Sequence, residues 1–207
     1  MNKYIKYFLY VIFAVGIVGH IIPATRNLML LLTPLTLFIT STVVIISLLK
    51  EKQTALFLWL IAFYVVTFFI EVAGVKTGLI FGEYVYGDTL GFKILDVPLI
   101  IGINWVLIVL GTIGVAKVLA KNSKFIPIIA AAIAVAFDYI LEPVAIKYNY
   151  WIWAGNSVPL QNYAAWFMIS FFAAFVFVKL KISFETKIPQ HYLFIQAVFF
   201  TVVLVFG

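Results

Sequence analysis

Apolar residues run almost unbroken through seven stretches of the chain, and polar positions collect in the short gaps between them. A helix needs about 20 mainly apolar residues to cross the hydrocarbon core of a bilayer. On that criterion the pattern predicts spans at Tyr4–Ile22, Leu28–Leu49, Ala55–Val75, Val97–Leu119, Phe125–Ile146, Tyr163–Val178 and Pro189–Phe206. The sixth is short and is expected to use Lys179 to Lys181 as a snorkelling end. The expected architecture is one all-α domain over residues 1–207, a polytopic membrane protein with seven transmembrane helices.

Composition agrees. Hydrophobic residues make up 65% of the chain, charged residues 11%, and the mean hydropathy is +1.16, which is more apolar surface than one water-soluble core hides. Cysteine is absent, which removes disulfides, thiolate ligands and thiol nucleophiles and leaves oxygen and imidazole chemistry. Lys3 and Lys6 before the first apolar run imitate a signal peptide, but His20 to Pro23 offers no small-x-small cleavage site, so an uncleaved first helix is expected.

Charge changes the picture through its placement. The pI near 9.4 suggests nucleic acid at first, yet the spans sort most of the 14 Lys and Arg onto the amino-terminal side, leaving Arg26, Lys76, Lys93 and Lys147 on the other. The positive-inside bias accounts for that sorting without nucleic acid, with the amino terminus cytoplasmic and the carboxyl terminus outside. Acidic residues are sorted oppositely. Glu51 and Glu185 fall on the cytoplasmic side, whereas Glu71, Glu83, Asp88, Asp96, Asp138 and Glu142 fall toward the other.

Three of these acids lie inside spans. At a rise of 1.5 Å per residue, Asp138 sits roughly 12 Å inside the outer end of helix five, and Glu71 and Glu142 roughly 6 Å from their own helix ends. An Asp near a helix centre costs roughly 2.5–3.5 kcal/mol on insertion scales, so a carboxylate there needs a partner or a chemical task. Asp138 and Glu142, four apart, share a helix face. A single acid at this depth reads as a hydrogen-bonded packing residue; three at one depth, beside two aromatic loops, read as a pocket. His20, at the outer end of helix one, is an accessory candidate.

An internal repeat supports that pocket. VPLIIGINW at Val97–Trp105 and VPLQNYAAW at Val158–Trp166 share V-P-L followed by Trp at one spacing. Upstream, Glu71 precedes Tyr84 and Tyr86 by the interval at which Asp138 precedes Trp151 and Trp153. Each copy reads as an acid on an outgoing helix, aromatic-x-aromatic in the outer loop, then V-P-L and Trp on the returning helix. Helices three and four are thus expected to repeat as five and six, in parallel, with Glu71 matched to Asp138 across a pseudo-axis. Gly74, Gly78 and Gly82 have small-xxx-small spacing, read as helix packing at Gly74 and a loop at Gly82.

Scarce membrane carboxylates among many aromatics suit acid chemistry on an apolar, membrane-dissolved substrate. An isolated alkene is a very weak base, and a carboxyl group kept neutral by burial and by a second carboxylate is the side-chain device available to protonate it. The tertiary cation that results needs π faces around it, for which Tyr84, Tyr86, Trp105, Trp151, Trp153 and Trp166 are candidates. Glu83, Asp88, Asn104 and Asn162 are placed to admit and orient water. The candidate catalytic residues are Asp138 as proton donor, Glu142 as its tuning partner and Glu71 as base toward water, the roles of Asp138 and Glu71 being interchangeable. The candidate substrate-binding residues are Tyr84, Tyr86, Asp96, Asn104, Trp105, Trp151, Trp153, Asn162 and Trp166.

Glu71-x2-Gly-x3-Gly-x2-Phe-Gly-x-Tyr-x-Tyr86, Leu90-Gly91, Val97-Pro98 with Trp105, Asp138-x3-Glu142-Pro143, Trp151-x-Trp153 and Pro159-x2-Asn162 with Trp166 together resemble the integral-membrane carotenoid hydratase family. That family includes the bisanhydrobacterioruberin, γ-carotene and lycopene hydratases of archaea and bacteria. The resemblance covers about Glu71 to Trp166. It implies a prokaryotic cell-membrane enzyme that adds water to the terminal ψ-end double bond of an acyclic or monocyclic carotenoid, giving a tertiary 1-hydroxy end group. Its implied partners are a carotenoid, water and membrane lipid, with no cofactor and no metal; it assigns no oligomeric state. The family pattern has Asp before the Pro where this chain has Glu142.

Other readings stay open at this level. A proton-initiated membrane lycopene cyclase uses the same acid and aromatics but excludes water. A prenyltransferase needs acidic clusters for Mg²⁺ and cations for diphosphate, and Asp138-x3-Glu142 is a poor version of that pattern. A retinal photoreceptor needs a Schiff-base lysine, and there is none between Pro189 and Phe206. A proton-coupled transporter also uses membrane carboxylates.

Overall fold

The structure, a computed structural model, describes residues 2–155 and 157–207. Seven helices long and apolar enough to cross a membrane form one bundle: α1 (Asn2–Ile21), α2 (Pro23–Leu49), α3 (Thr54–Thr77), α4 (Leu99–Leu119), α5 (Ile126–Lys147), α6 (Leu160–Lys179) and α7 (Ile188–Phe206). The all-α polytopic expectation holds, with four strands of two or three residues at one end.

The α4 helix is the centre of the bundle, because it has no polar face to turn outward. Leu107, Ile108, Val109, Leu110 and Ile113 are fully buried, and α4 touches α2, α3, α5, α6 and α7. Small residues let α7 come close: a Cβ on Gly111 would lie 2.7 Å from the Pro189 carbonyl oxygen. The α1–α2 hairpin packs against α7 at the edge of the bundle.

Most boundaries shift from the expected ones by one or two residues, and the starts of α2, α4 and α6 shift for identifiable reasons. The α2 helix begins at Pro23, not Leu28, because Pro is favourable in a first turn and Ile22 is extended. Arg26 donates from Nε to the His20 carbonyl at 2.9 Å, so the polar Pro-Ala-Thr-Arg-Asn tract serves the helix junction rather than a loop. The α4 helix starts at Leu99, since Val97–Pro98 (β3) pairs with Lys93–Ile94 (β2). The α6 helix starts at Leu160 rather than Tyr163. Pro98 and Pro159 occupy the same position, the residue before the first turn of α4 and of α6, so the V-P-L motif has one structural role in both copies.

The two aromatic loops are not separate. Tyr84–Tyr86 (β1) pairs antiparallel with Trp151–Trp153 (β4), Tyr84 opposite Trp153, Val85 opposite Ile152 and Tyr86 opposite Trp151. Antiparallel pairing centred on Val85 and Ile152 is what a two-fold axis between two parallel copies produces. The period of two turns the four aromatic rings inward and leaves Val85 and Ile152 exposed. Backbone bonds from Gly87 N to Tyr150 O and from Ala154 N to Glu83 O extend the ladder.

Close contact between the copies depends on Gly82. Its φ of +106° is a conformation side chains avoid, and a Cβ there would lie 2.5 Å from Pro159 Cγ.

Candidate functional site

Beneath the strand pair lies a chamber of about 60 Å³ lined by residues of both copies, among them Glu71, Tyr84, Tyr86, Trp105, Glu142, Trp151, Trp153, Asn162 and Trp166. The carboxylates of Glu71 and Glu142 are 5% and 2% exposed and face this one space from α3 and α5.

Each is held by three donors. Glu71 Oε2 accepts from the Tyr84 hydroxyl at 2.6 Å and the Tyr86 hydroxyl at 2.8 Å, and its Oε1 accepts from Trp105 Nε1 at 2.7 Å. Glu142 Oε2 accepts from Trp151 Nε1 and Trp153 Nε1, both at 2.9 Å, and its Oε1 accepts from Asn162 Nδ2 at 3.1 Å. The plan is the same in both copies: the aromatic strand fills one oxygen with two donors, and the returning helix gives one donor to the other. A carboxylate oxygen has two lone pairs, so each Oε1 retains one site free of these bonds. Burial, and next the Glu71 charge, pushes the Tyr84 and Tyr86 phenols up from their ordinary value, so both remain O–H donors.

This geometry corrects the expected register of the repeat. The partner of Glu71 is Glu142, not Asp138. Glu71 lies 13 and 15 residues before its two strand donors, Glu142 only 9 and 11 before its own. The connection from α3 to β1 is longer than that from α5 to β4, and the difference of about one helical turn made Asp138 look equivalent. Depth from the helix end is the property the two glutamates share.

Asp138 is fully enclosed and stands outside the chamber wall. Its Oδ2 accepts from Asn162 Nδ2 at 2.7 Å, so one amide bridges Asp138 and Glu142, while its Oδ1 is buried without a hydrogen-bond partner. Asn104 lines the chamber and accepts from Gln196 Nε2 at 3.2 Å. Gln196 itself escaped the sequence reading, although one amide in the apolar run of α7 was a visible signal.

The aromatic residues have a second function beside the expected π faces. Tyr84, Tyr86, Trp105, Trp151 and Trp153 point polar atoms at the carboxylates. Trp105 and Trp166 stack across the pseudo-axis with centroids 3.8 Å apart and planes 23° from parallel. Asp96 does not belong to the site. It occupies the exposed turn between β2 and β3 with φ of +67°, a left-handed conformation that a short polar side chain tolerates. Glu83 and Asp88 also face outward, and Asp88 pairs with Lys93 at 3.0 Å. His20 lines a neighbouring cavity between α1, α2 and α7.

Comparison with known proteins adds two findings. The sequence model of a family described as carotenoid biosynthesis protein matches residues 27–207. The bisanhydrobacterioruberin hydratase of Haloarcula japonica is 31% identical over 126 residues, which is 57% of this chain; the aligned part is 43% of that relative's length. No solved structure matches.

Proposed function

This chain belongs to the carotenoid biosynthesis protein family, and from that premise we propose that it is a hydratase acting on the terminal double bond of an acyclic or monocyclic carotenoid. The observation that carries the reading is the pair of glutamates facing one chamber, each with an oxygen that accepts a single hydrogen bond and keeps a lone pair for a proton. The likeness to a protein named a hydratase gives separate support.

In the proposed mechanism the terminal trisubstituted alkene takes a proton at its less substituted carbon, and the tertiary cation at the other carbon is captured by water. A carboxylate removes a proton from that water, so the net change is addition of H₂O. Glu142 is the donor in this scheme, because it lines the chamber and Asp138 does not. Asp138 is a positioning residue that acts on Glu142 through Asn162. Glu71 is the base in this scheme, since it lines the same chamber from the other copy and is held there by two phenols and an indole. The stacked Trp105 and Trp166 line the same chamber and offer it π surface. The basic residues at the opposite end support a chamber that faces the outer side of the membrane.

The test is expression in a host that makes lycopene or γ-carotene, in water enriched in heavy oxygen. The expected result is a new pigment heavier by one water and carrying the label. A product of unchanged mass would assign a cyclase, and proton flux in vesicles without any product would assign a transporter.

A further inference from the structure

A second cavity adjoins the carboxylate chamber. It has a volume of about 230 Å³ and shares Leu37, Tyr150, Gln196 and Phe200 with the chamber wall, so the two spaces meet at these side chains. Val15, part of its lining, is also 58% exposed on the outer side of α1, which opens the cavity toward lipid.

Two acceptors in its lining have no partner. The His20 ring is 4% exposed, and Nδ1 lies 2.7 Å from the Gly16 carbonyl oxygen. A carbonyl only accepts, so Nδ1 carries the hydrogen and, in the neutral ring, Nε2 is a lone-pair acceptor. That Nε2 is buried and has no hydrogen-bond partner. Gln196 Oε1, at the junction of the two spaces, is likewise buried without a partner. The Thr33 hydroxyl is directed to the Met29 carbonyl and is no donor to the cavity. A buried acceptor left unpaired forfeits its hydration without replacement, so a ligand that supplies a hydrogen here is favoured.

The rest of the lining decides what kind of ligand. No Asp, Glu, Lys or Arg lines the cavity, and the walls are chiefly Ile12, Phe13, Leu32, Leu37, Phe199 and Phe200. An apolar chain with one hydroxyl satisfies both the walls and Nε2.

We propose that the His20 cavity is a binding site for a neutral isoprenoid alcohol, with His20 Nε2 accepting the hydroxyl hydrogen and the chain lying between α1, α2 and α7. The proposal rests on the hydratase reading for the source of that alcohol: the hydrated end group leaves the chamber past Gln196 and reaches lipid through this cavity.

The probes are dihydromyrcenol, a small isoprenoid with a hydrated end group, and dihydromyrcene, the same skeleton before water is added. The chain has two histidines, so ¹⁵N-histidine spectra of the protein in nanodiscs are assigned by His20→Phe and, independently of it, by His191→Phe. Dihydromyrcenol is expected to move the His20 Nε2 resonance, and dihydromyrcene to leave it in place. His20→Phe keeps a ring but removes the acceptor, and is expected to reduce the preference for alcohol over hydrocarbon about tenfold, the effect of one neutral hydrogen bond. An unmoved Nε2 resonance under saturating alcohol overturns the proposal, as does an unchanged preference in His20→Phe. The spectra of the native protein decide the matter if that variant fails to fold. Neither measurement requires turnover, so loss of the hydratase reading shows separately, as absent product with alcohol binding intact.

Discussion

Replacing Glu142 by Gln separates chemistry from scaffolding. The carboxylate accepts three N–H donors, whereas an amide offers one oxygen and one NH₂. With its oxygen kept on Trp151 and Trp153, its NH₂ meets Asn162 Nδ2 across 3.1 Å, donor against donor. That mismatch costs about 1–3 kcal/mol, enough to lower thermal stability but not to empty the membrane of a seven-helix protein. Loss of a general acid costs about 10²–10⁴-fold in rate, or about 3–5 kcal/mol of barrier. Trp153→Phe is the control, because it removes one donor to the same oxygen and leaves the carboxyl group in place. The assay is labelled pigment per unit of membrane protein in the carotenoid-making host. Glu142→Gln is expected to fall at least about 100-fold and Trp153→Phe no more than about tenfold. Conversion by Glu142→Gln within about threefold of the native level would refute Glu142 as the donor.

Asp138→Asn keeps an oxygen for Asn162 and is expected to slow conversion about tenfold with normal accumulation in the membrane; a drop as large as that of Glu142→Gln would make Asp138 the donor. Because the folded protein holds the Tyr84 and Tyr86 phenols un-ionised, their contribution to stability is complete below pH about 10, where an unfolded phenol titrates, and declines above it. Unfolding midpoints followed from pH 8 to 11 are therefore expected to fall at the alkaline end, and less so in the double Phe variant; equal alkaline loss in both proteins contradicts the buried-donor assignment. Gly82→Ala, strained in φ and pressed on Pro159, is expected to lower stability by about 1–3 kcal/mol in a thermal melt, with Gly155→Ala, whose Cβ meets nothing nearer than 3.9 Å, close to neutral.

Much of this arrangement was legible along the chain, for physical reasons. Hydropathy revealed the seven helices because a span is long compared with the few residues that blur its ends. Glu71, Glu142 and the aromatic-x-aromatic pairs stood out because carboxylates are scarce in apolar runs. What the pattern missed depends on short or distant geometry. Strands of three residues are too brief for alternation to register, so the pairing of Tyr84–Tyr86 with Trp151–Trp153 was invisible although all four rings were noticed. Asp96 was drawn in by its charge, while its position in a two-residue turn follows from the Lys93–Pro98 pairing. Spacing counted along the sequence matched Asp138 to Glu71; depth below the helix end, which fixes where a side chain meets the chamber, matches Glu142 instead.

That register explains how a repeated unit supplies two different reagents. Two parallel copies about a two-fold axis bring one carboxylate each to a common space and give each the same donor plan. Identical copies would leave nothing but their mutual interaction to decide which group holds a proton. The differences lie in the neighbours. Where the second copy has Asp138 one turn before Glu142, the first has Thr67, whose hydroxyl is turned to its own helix backbone at the Phe63 carbonyl. Where the first strand presents phenols, the second presents indoles. A second carboxylate beside Glu142 opposes another negative charge there, while phenolic O–H groups on Glu71 favour one. In the proposed mechanism this asymmetry sets the donor on the α5 side and the base on the α3 side, both facing the one chamber beneath the paired strands.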